Sequence, residues 1–304
     1  MNKKRRNMPS QQISDFEKLV QPLPGRLPLA DLPGAQEMLI AYCVAQWPSL
    51  ADVEQERVQC DEVAAIWYRP PNPKMGRLVL YVHGGGYVWC SAESHAGIIS
   101  RVAAECHAET IALDYKVAPS QPFPGPVEEG VTLYNWLLKS GYAPENIAIV
   151  GDSAGGGLVL AIVYALKSRH IPLPACAAVS SAYTDLTNTG ESIDWVTSDR
   201  CVSREGLDFC VELYLQGHDP RDPLASPLHA DLSGFPPLLV QVGSRERLLS
   251  DSTRFAAKAD AAGIDVKLEV YDGCMHLWQW WVPEAPEAKA AVSSIADFIS
   301  THIR

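Results

Sequence analysis

Apolar positions along this chain change period several times, and the changes mark its elements. Up to about residue 50 they recur at helical spacing, first as Ile13, Phe16, Leu19 and Val20, then as Met38, Leu39, Tyr42 and Ala45. Prolines at 22, 24, 28 and 33 separate the two groups, so two helices with a break between them are predicted. Segments 53–60 and 62–69 read as extended stretches joined at Asp61, an antiparallel pair. After Pro73 short apolar runs alternate with helical stretches. RLVLYV (77–82) precedes a glycine loop and a helix near 93–106, and the run 110–113 precedes a helix at 124–139. NIAIV (146–150) ends at Gly151 and gives way to a long apolar helix over about 153–168. The remaining strands are predicted at 175–179, at 237–242 (PLLVQV) and at 266–270 (VKLEV), with helices near 251–262 and 286–300. Short apolar strands alternating with helices predict an α/β fold, a mostly parallel sheet covered on both faces.

Residues 184–217 interrupt that rhythm. They hold no convincing strand, yet carry Trp195, Phe209, Leu213, Tyr214 and Leu215. A long insertion between two sheet strands, with helices of its own, is expected to form a lid or cap together with the N-terminal helices. The expected organisation is therefore a helical cap segment over 1–50 and a catalytic domain over 51–304 with a cap insertion near 184–217.

Charge and composition narrow the classes of partner. The formal net charge is −11, which argues against nucleic acid or an anionic membrane, since both need a basic face. The one basic run, Lys3-Lys4-Arg5-Arg6, is followed by polar residues and not by the apolar stretch of a secretion signal, so a solvated N-terminus is expected. No window of ~18 uninterrupted apolar residues exists to span a bilayer. The eight cysteines form no CxxC pair and no zinc spacing with histidine, which leads us to expect reduced thiols in a cytoplasmic protein without metal or organic cofactor.

Candidate chemistry lies in the loops after the strands. Gly151-Asp152-Ser153-Ala154-Gly155 is a G-x-S-x-G sequence between a strand and a helix. A nucleophile on so sharp a turn needs glycines two positions away on either side, and a helix N-terminus favours developing negative charge. An ordinary glycine turn with a capping serine would have the same composition. His83-Gly84-Gly85-Gly86-Tyr87 follows RLVLYV, and loops of this HGGG type offer backbone N–H groups to an oxyanion. The expected donors are Gly85, Gly86 and Ala154, with His83 bracing the loop. No lysine follows in the spacing of a phosphate-binding loop.

Among eight histidines, His276 is selected because it alone lies in the loop after the last strand. An acid is expected just beyond PLLVQV, where Glu246 and Asp251 both qualify. Asp251 sits at an apparent helix start, where carboxylates often serve the helix dipole, so Glu246 is favoured. The order Ser153, Glu246, His276 is the Ser, acid, His chain order of α/β-hydrolases. Trp89, Trp195, Trp278, Trp280 and Trp281 are candidates either for an acyl pocket or for core packing.

Taken together, HGGGY at 83–87, Asp114 to Pro119 with Pro122-Phe123-Pro124, GDSAGG at 151–156 and the loops around Glu246 and His276 resemble the hormone-sensitive-lipase-like family of esterases, in its bacterial branch. The resemblance covers the chain from about residue 78 onward. It implies an α/β-hydrolase fold with an eight-stranded core and a helical cap. It also implies cofactor-free hydrolysis of short- to medium-chain acyl esters, sometimes lactones, through a Ser-His-acid triad and an acyl-enzyme, and in many members a homodimer. The family's acid is usually aspartate, whereas Glu246 stands at the matching position here. An amide or lactone hydrolase would use the same residues, and a non-catalytic ligand receptor of this fold would lack the histidine.

Overall fold

The computed structural model describes residues 9–19 and 26–303; the basic run at 3–6, Val20 and the prolines at 22 and 24 lie outside them. Eight strands form one sheet: β1 (Glu54–Cys60), β2 (Val63–Arg69), β3 (Leu78–Val82), β4 (Glu109–Leu113), β5 (Ile147–Asp152), β6 (Cys176–Ser180), β7 (Leu238–Gly243) and β8 (Val266–Tyr271). Their spatial order is β1-β2-β4-β3-β5-β6-β7-β8. β1 and β2 pair antiparallel with Glu54 opposite Arg69, β2 pairs antiparallel with β4, and every later pairing is parallel.

Burial explains the strand sequences. β3, β5, β6 and β7 are buried at every residue, which is why they read as continuous apolar runs and not as alternating ones. The edge strand β1 (EQERVQC) is mostly exposed, and its charged residues blunt an edge that would otherwise invite pairing with another chain.

Between the strands lie α3 (Ala96–Cys106), α4 (Gly125–Lys139), α5 (Ser153–Ser168), α8 (Leu249–Ala261) and α10 (Pro286–His302). α5 is apolar on nearly all sides because it is sandwiched between the sheet and α4. The insertion between β6 and β7 contains no strand, as the sequence predicts; it holds α6 (Glu191–Trp195) and α7 (Arg204–Leu215). The two N-terminal helices are α1 (Gln11–Leu19) and α2 (Leu32–Gln46). Ile13 of α1 is fully buried in a small cluster with Met275, Trp278 and Ala288, separate from the main core. Ser10, just before α1, gives both its N–H and its hydroxyl to the Glu287 carboxylate at the start of α10. The first helix is thus fastened to the segment that follows β8.

One element escaped the sequence reading: α9, a single turn at Trp278–Trp281. The loops after β3, β5, β7 and β8 converge at the carboxyl edge of the sheet, where ligands of open parallel sheets bind.

Candidate active site

Ser153 is the first residue of α5, directly after β5, and its φ of 51° lies in the left-handed region. For a non-glycine residue that is strained backbone, held because strand and helix fix both neighbours. The glycine two positions on has a visible reason. A Cβ at Gly155 would collide with the carbonyl oxygens of Val82 and His83, so the helix could not approach β3 this closely.

The loops after β7 and β8 bring the other two candidates to Ser153. His276 Nδ1 lies 2.7 Å from Glu246 Oε2, and His276 Nε2 lies 3.1 Å from Ser153 Oγ. Glu246 is completely buried. Its Oε1 accepts hydrogen bonds from the Ser181 hydroxyl at 3.0 Å and from the Gly243 N–H. Burial by itself would lower the His276 pKa, but the hydrogen bond and charge of Glu246 outweigh it and hold the imidazole above its ordinary value.

Asp251 does not reach the histidine. It stands in the first turn of α8, as expected, and its side chain also reaches across to the insertion. It is fully buried, and its Oδ2 accepts from the N–H groups of Thr184 and Asp185 at 2.8 and 2.9 Å. Burial, opposed by the Thr184 N–H and reinforced by the Asp185 charge, pushes its pKa up to about 7. Asp251 therefore fastens the start of the insertion to α8.

The glycine loop lies beside the serine. Gly85 and Gly86 both have positive φ, at 110° and 62°, and the Gly85 carbonyl accepts from the N–H groups of Val88 and Trp89. A side chain at Gly85 would strike the Trp89 carbonyl. Among the described residues, the N–H groups of Gly85, Gly86 and Ala154 meet no backbone acceptor. His83 braces the loop: it is fully buried, its Nδ1 is 2.8 Å from the Gly84 carbonyl, and its ring stacks on Tyr115 at 4.1 Å. Burial, then the neighbouring His95, pushes its pKa down to about 3, so it stays neutral.

Ser153 and His276 open into a cavity of about 700 Å³ that also touches Gly85 and Gly86. The candidate tryptophans divide. Trp89, Trp280 and Trp281 line the cavity, Trp278 is fully buried in the small cluster, and Trp195 is 58% exposed. Phe16 of α1 and Trp47 after α2 also line it and pack on Trp281, at ring distances of 6.2 and 4.8 Å. Sequence reasoning missed Ser181, which carries no motif, and Asp199. The Asp199 carboxylate takes the N–H groups of Cys201, Val202 and Arg247, tying the insertion to the loop of Glu246. Among the described residues no cluster of histidine, cysteine and acidic side chains is suited to a metal, all eight cysteines are buried and free, and no helix is long and apolar enough to cross a membrane.

A hydroxyl, an imidazole and a carboxylate in line at the carboxyl edge of this sheet define a protein of the α/β-hydrolase class. The family model described as the alpha/beta hydrolase fold matches residues 79–280. An acetyl-hydrolase of Streptomyces hygroscopicus is 40% identical over 86% of this chain and 88% of its own length. An esterase of Acinetobacter venetianus is 37% identical over 74% of this chain and 75% of its own. The crystal structure of an esterase from the bacterial hormone-sensitive lipase family superposes with a TM-score of 0.89 at 39% identity, covering 97% of each chain. The chain belongs to the hormone-sensitive-lipase-like family of α/β-hydrolase esterases. It is a carboxylic ester hydrolase, which sets aside the receptor alternative.

Proposed function

We propose that the chain is a serine esterase for short acyl esters, acetyl above all, in which Ser153 is the nucleophile, His276 the base and Glu246 the acid. The contact chain Glu246–His276–Ser153, at 2.7 and 3.1 Å, carries this reading. His276 takes the Ser153 proton as the oxygen attacks the ester carbonyl. The oxyanion of the tetrahedral intermediate is held by the N–H groups of Gly85, Gly86 and Ala154, donors already fixed by the glycine loop and by the start of α5. Glu246 keeps the proton on Nδ1 and stabilises the imidazolium. His276 then protonates the leaving alkoxide, and water, activated by the same base, releases the acid from Ser153. Residues 1–50 and the insertion near 184–217 act as the cap that shapes the acyl and alcohol sites, a reading supported by Phe16, Trp47, Leu207 and Cys210 around the cavity. Support for a short acyl group comes from the acetyl-hydrolase relative.

A fluorophosphonate probe tests the nucleophile. It is expected to label one residue, Ser153, as read by peptide mass spectrometry, with activity lost in step; labelling elsewhere, with Ser153 unmodified and activity gone, overturns the reading. The pH profile tests the base. Because His276 must be neutral to accept a proton and its pKa is held above the ordinary histidine value of ~6.5, kcat/KM should fall on the acid side along a limb lying above that value. A limb well below it means that Glu246 does not stabilise the imidazolium.

A further inference from the structure

The cavity above Ser153 is far larger than a short acyl group needs. At about 700 Å³ it has the volume that ordinarily holds a whole drug-sized molecule. Among the described residues no aspartate, glutamate, lysine or arginine lines it. One wall is a row of rings. Phe16 stacks on Trp281 at 6.2 Å, Trp281 stacks on Trp280 at 4.2 Å, and Trp47 meets Trp281 at 4.8 Å in a T-shaped contact. Tyr42, 56% exposed, stands edge-on to Trp47 at 5.9 Å and carries the row out to solvent.

The route of the proton fixes which part of an ester meets this wall. His276 Nε2 returns its proton to the leaving oxygen, so the alcohol portion lies against His276. From His276 the chain runs directly into the turn Trp278–Trp281, where the Trp280 N–H bonds to the Leu277 carbonyl, and this places the indoles of Trp280 and Trp281 on the alcohol side. The acyl portion takes the other direction, past the glycine loop. There α7 closes in: a Cβ at Gly86 would come within 2.7 Å of Cys210 Sγ and 4.0 Å of Trp89. Room is short on the acyl side and ample on the alcohol side.

The rings also set the charge of what they accept. His95 and Trp281 stack on Trp280 at 3.9 and 4.2 Å, too close to share one face. Both faces of this indole are therefore covered, and its edge is what remains for a ligand. Ring edges carry the positive part of the quadrupole, so they favour the face of another ring over a cation. A cation also meets no carboxylate among the described lining residues. We propose that the substrates are small-acyl esters of uncharged aromatic alcohols, with Phe16, Trp47 and Trp281 selecting for the ring of the alcohol. The inference rests on the esterase and triad reading given above and adds the alcohol portion to it.

Two isomeric esters isolate the orientation. Phenethyl acetate carries the ring on its alcohol and ethyl phenylacetate on its acid, with the same atoms in each. kcat/KM is expected to favour phenethyl acetate by roughly tenfold or more, the discrimination a hydrophobic pocket can supply. Equal values or the reverse order overturn the proposal. Charge is tested with acetylcholine against neohexyl acetate, its uncharged isostere. The neutral ester should be hydrolysed roughly tenfold better, because the cation must shed water without gaining a partner, and a preference for acetylcholine overturns the proposal. In Trp281→Leu the ratio of kcat/KM for phenethyl acetate to that for ethyl acetate should fall by roughly threefold to tenfold, as a ring contact is exchanged for an aliphatic one. A ratio taken within one protein does not depend on the fraction folded, and an unchanged ratio overturns the proposal. If that variant does not fold, the isomer comparison on the original chain decides. Fluorophosphonate labelling of Ser153 separates the two levels. Labelling with no preference between the isomers strikes the alcohol assignment alone, whereas absence of labelling in the original chain strikes the triad.

Discussion

Replacing Ser153 by alanine is expected to lower kcat/KM for p-nitrophenyl acetate by roughly ten-thousand-fold or more, with the folded structure intact. Removal of a nucleophile leaves only the oxyanion donors and substrate binding, which in serine hydrolases account for about 10³ to 10⁴ over water. Structure should survive because the Ser153 hydroxyl has one side-chain partner, His276, and the backbone at φ 51° is as accessible to alanine as to serine. The strain belongs to the turn and not to the side chain. Its stability should therefore change by about 1 kcal/mol or less, read as a melting temperature within about 2 °C of the original. Undiminished turnover in a folded Ser153→Ala protein would remove Ser153 as nucleophile. A large fall in melting temperature would mean instead that the hydroxyl supports the turn.

How far the sequence reveals this site depends on the kind of constraint involved. Strands buried on both faces are dominated by apolar residues, so LVLYV, IAIVGD and LLVQVG announce themselves, and the observed ends fall within one or two residues of the predicted ones. Loop position relative to those strands then selects His276 from eight histidines and Glu246 from two acids. The structure brings His276 within hydrogen-bond reach of both Ser153 and Glu246. Contacts between residues remote in sequence leave no such trace. The tie from Asp251 to Thr184 and Asp185 spans more than sixty residues, so a local reading could offer only a helix start. His95 Nε2 comes within 3.3 Å of Asp152 Oδ2, more than fifty residues on, with nothing local to connect them. The turn at Trp278–Trp281 is too short to show a period, and whether its indoles face core or cavity is decided by Phe16 and Trp47, more than two hundred residues earlier.

Glu246→Gln should separate the two acids more sharply than any other substitution. In the original chain Oε1 takes hydrogen bonds from the Gly243 N–H and the Ser181 hydroxyl, and Oε2 faces His276 Nδ1. A glutamine must keep its carbonyl oxygen toward the Gly243 N–H, because an NH₂ there would set two donors against each other. Its NH₂ then points at Nδ1, which must become the acceptor. That moves the ring proton to Nε2, the atom that has to receive the Ser153 proton. Loss of kcat by roughly a thousandfold is expected, approaching the 10⁴ known for the wrong tautomer in a serine protease. The His276 pKa should also fall, since the hydrogen bond and charge that raise it are gone while burial remains. Asp251→Asn is expected to behave otherwise. Its carbonyl can still accept from Thr184 and Asp185, and with a pKa pushed up to about 7 the native carboxyl is already partly neutral near neutral pH. Activity within about twofold of the original is expected, because the asparagine keeps the acceptor for Thr184 and Asp185 and touches none of the reacting groups. Parallel kcat measurements on the two folded variants decide the matter. A greater loss in Asp251→Asn than in Glu246→Gln would transfer the role of acid to Asp251, and with it the origin of the raised His276 pKa.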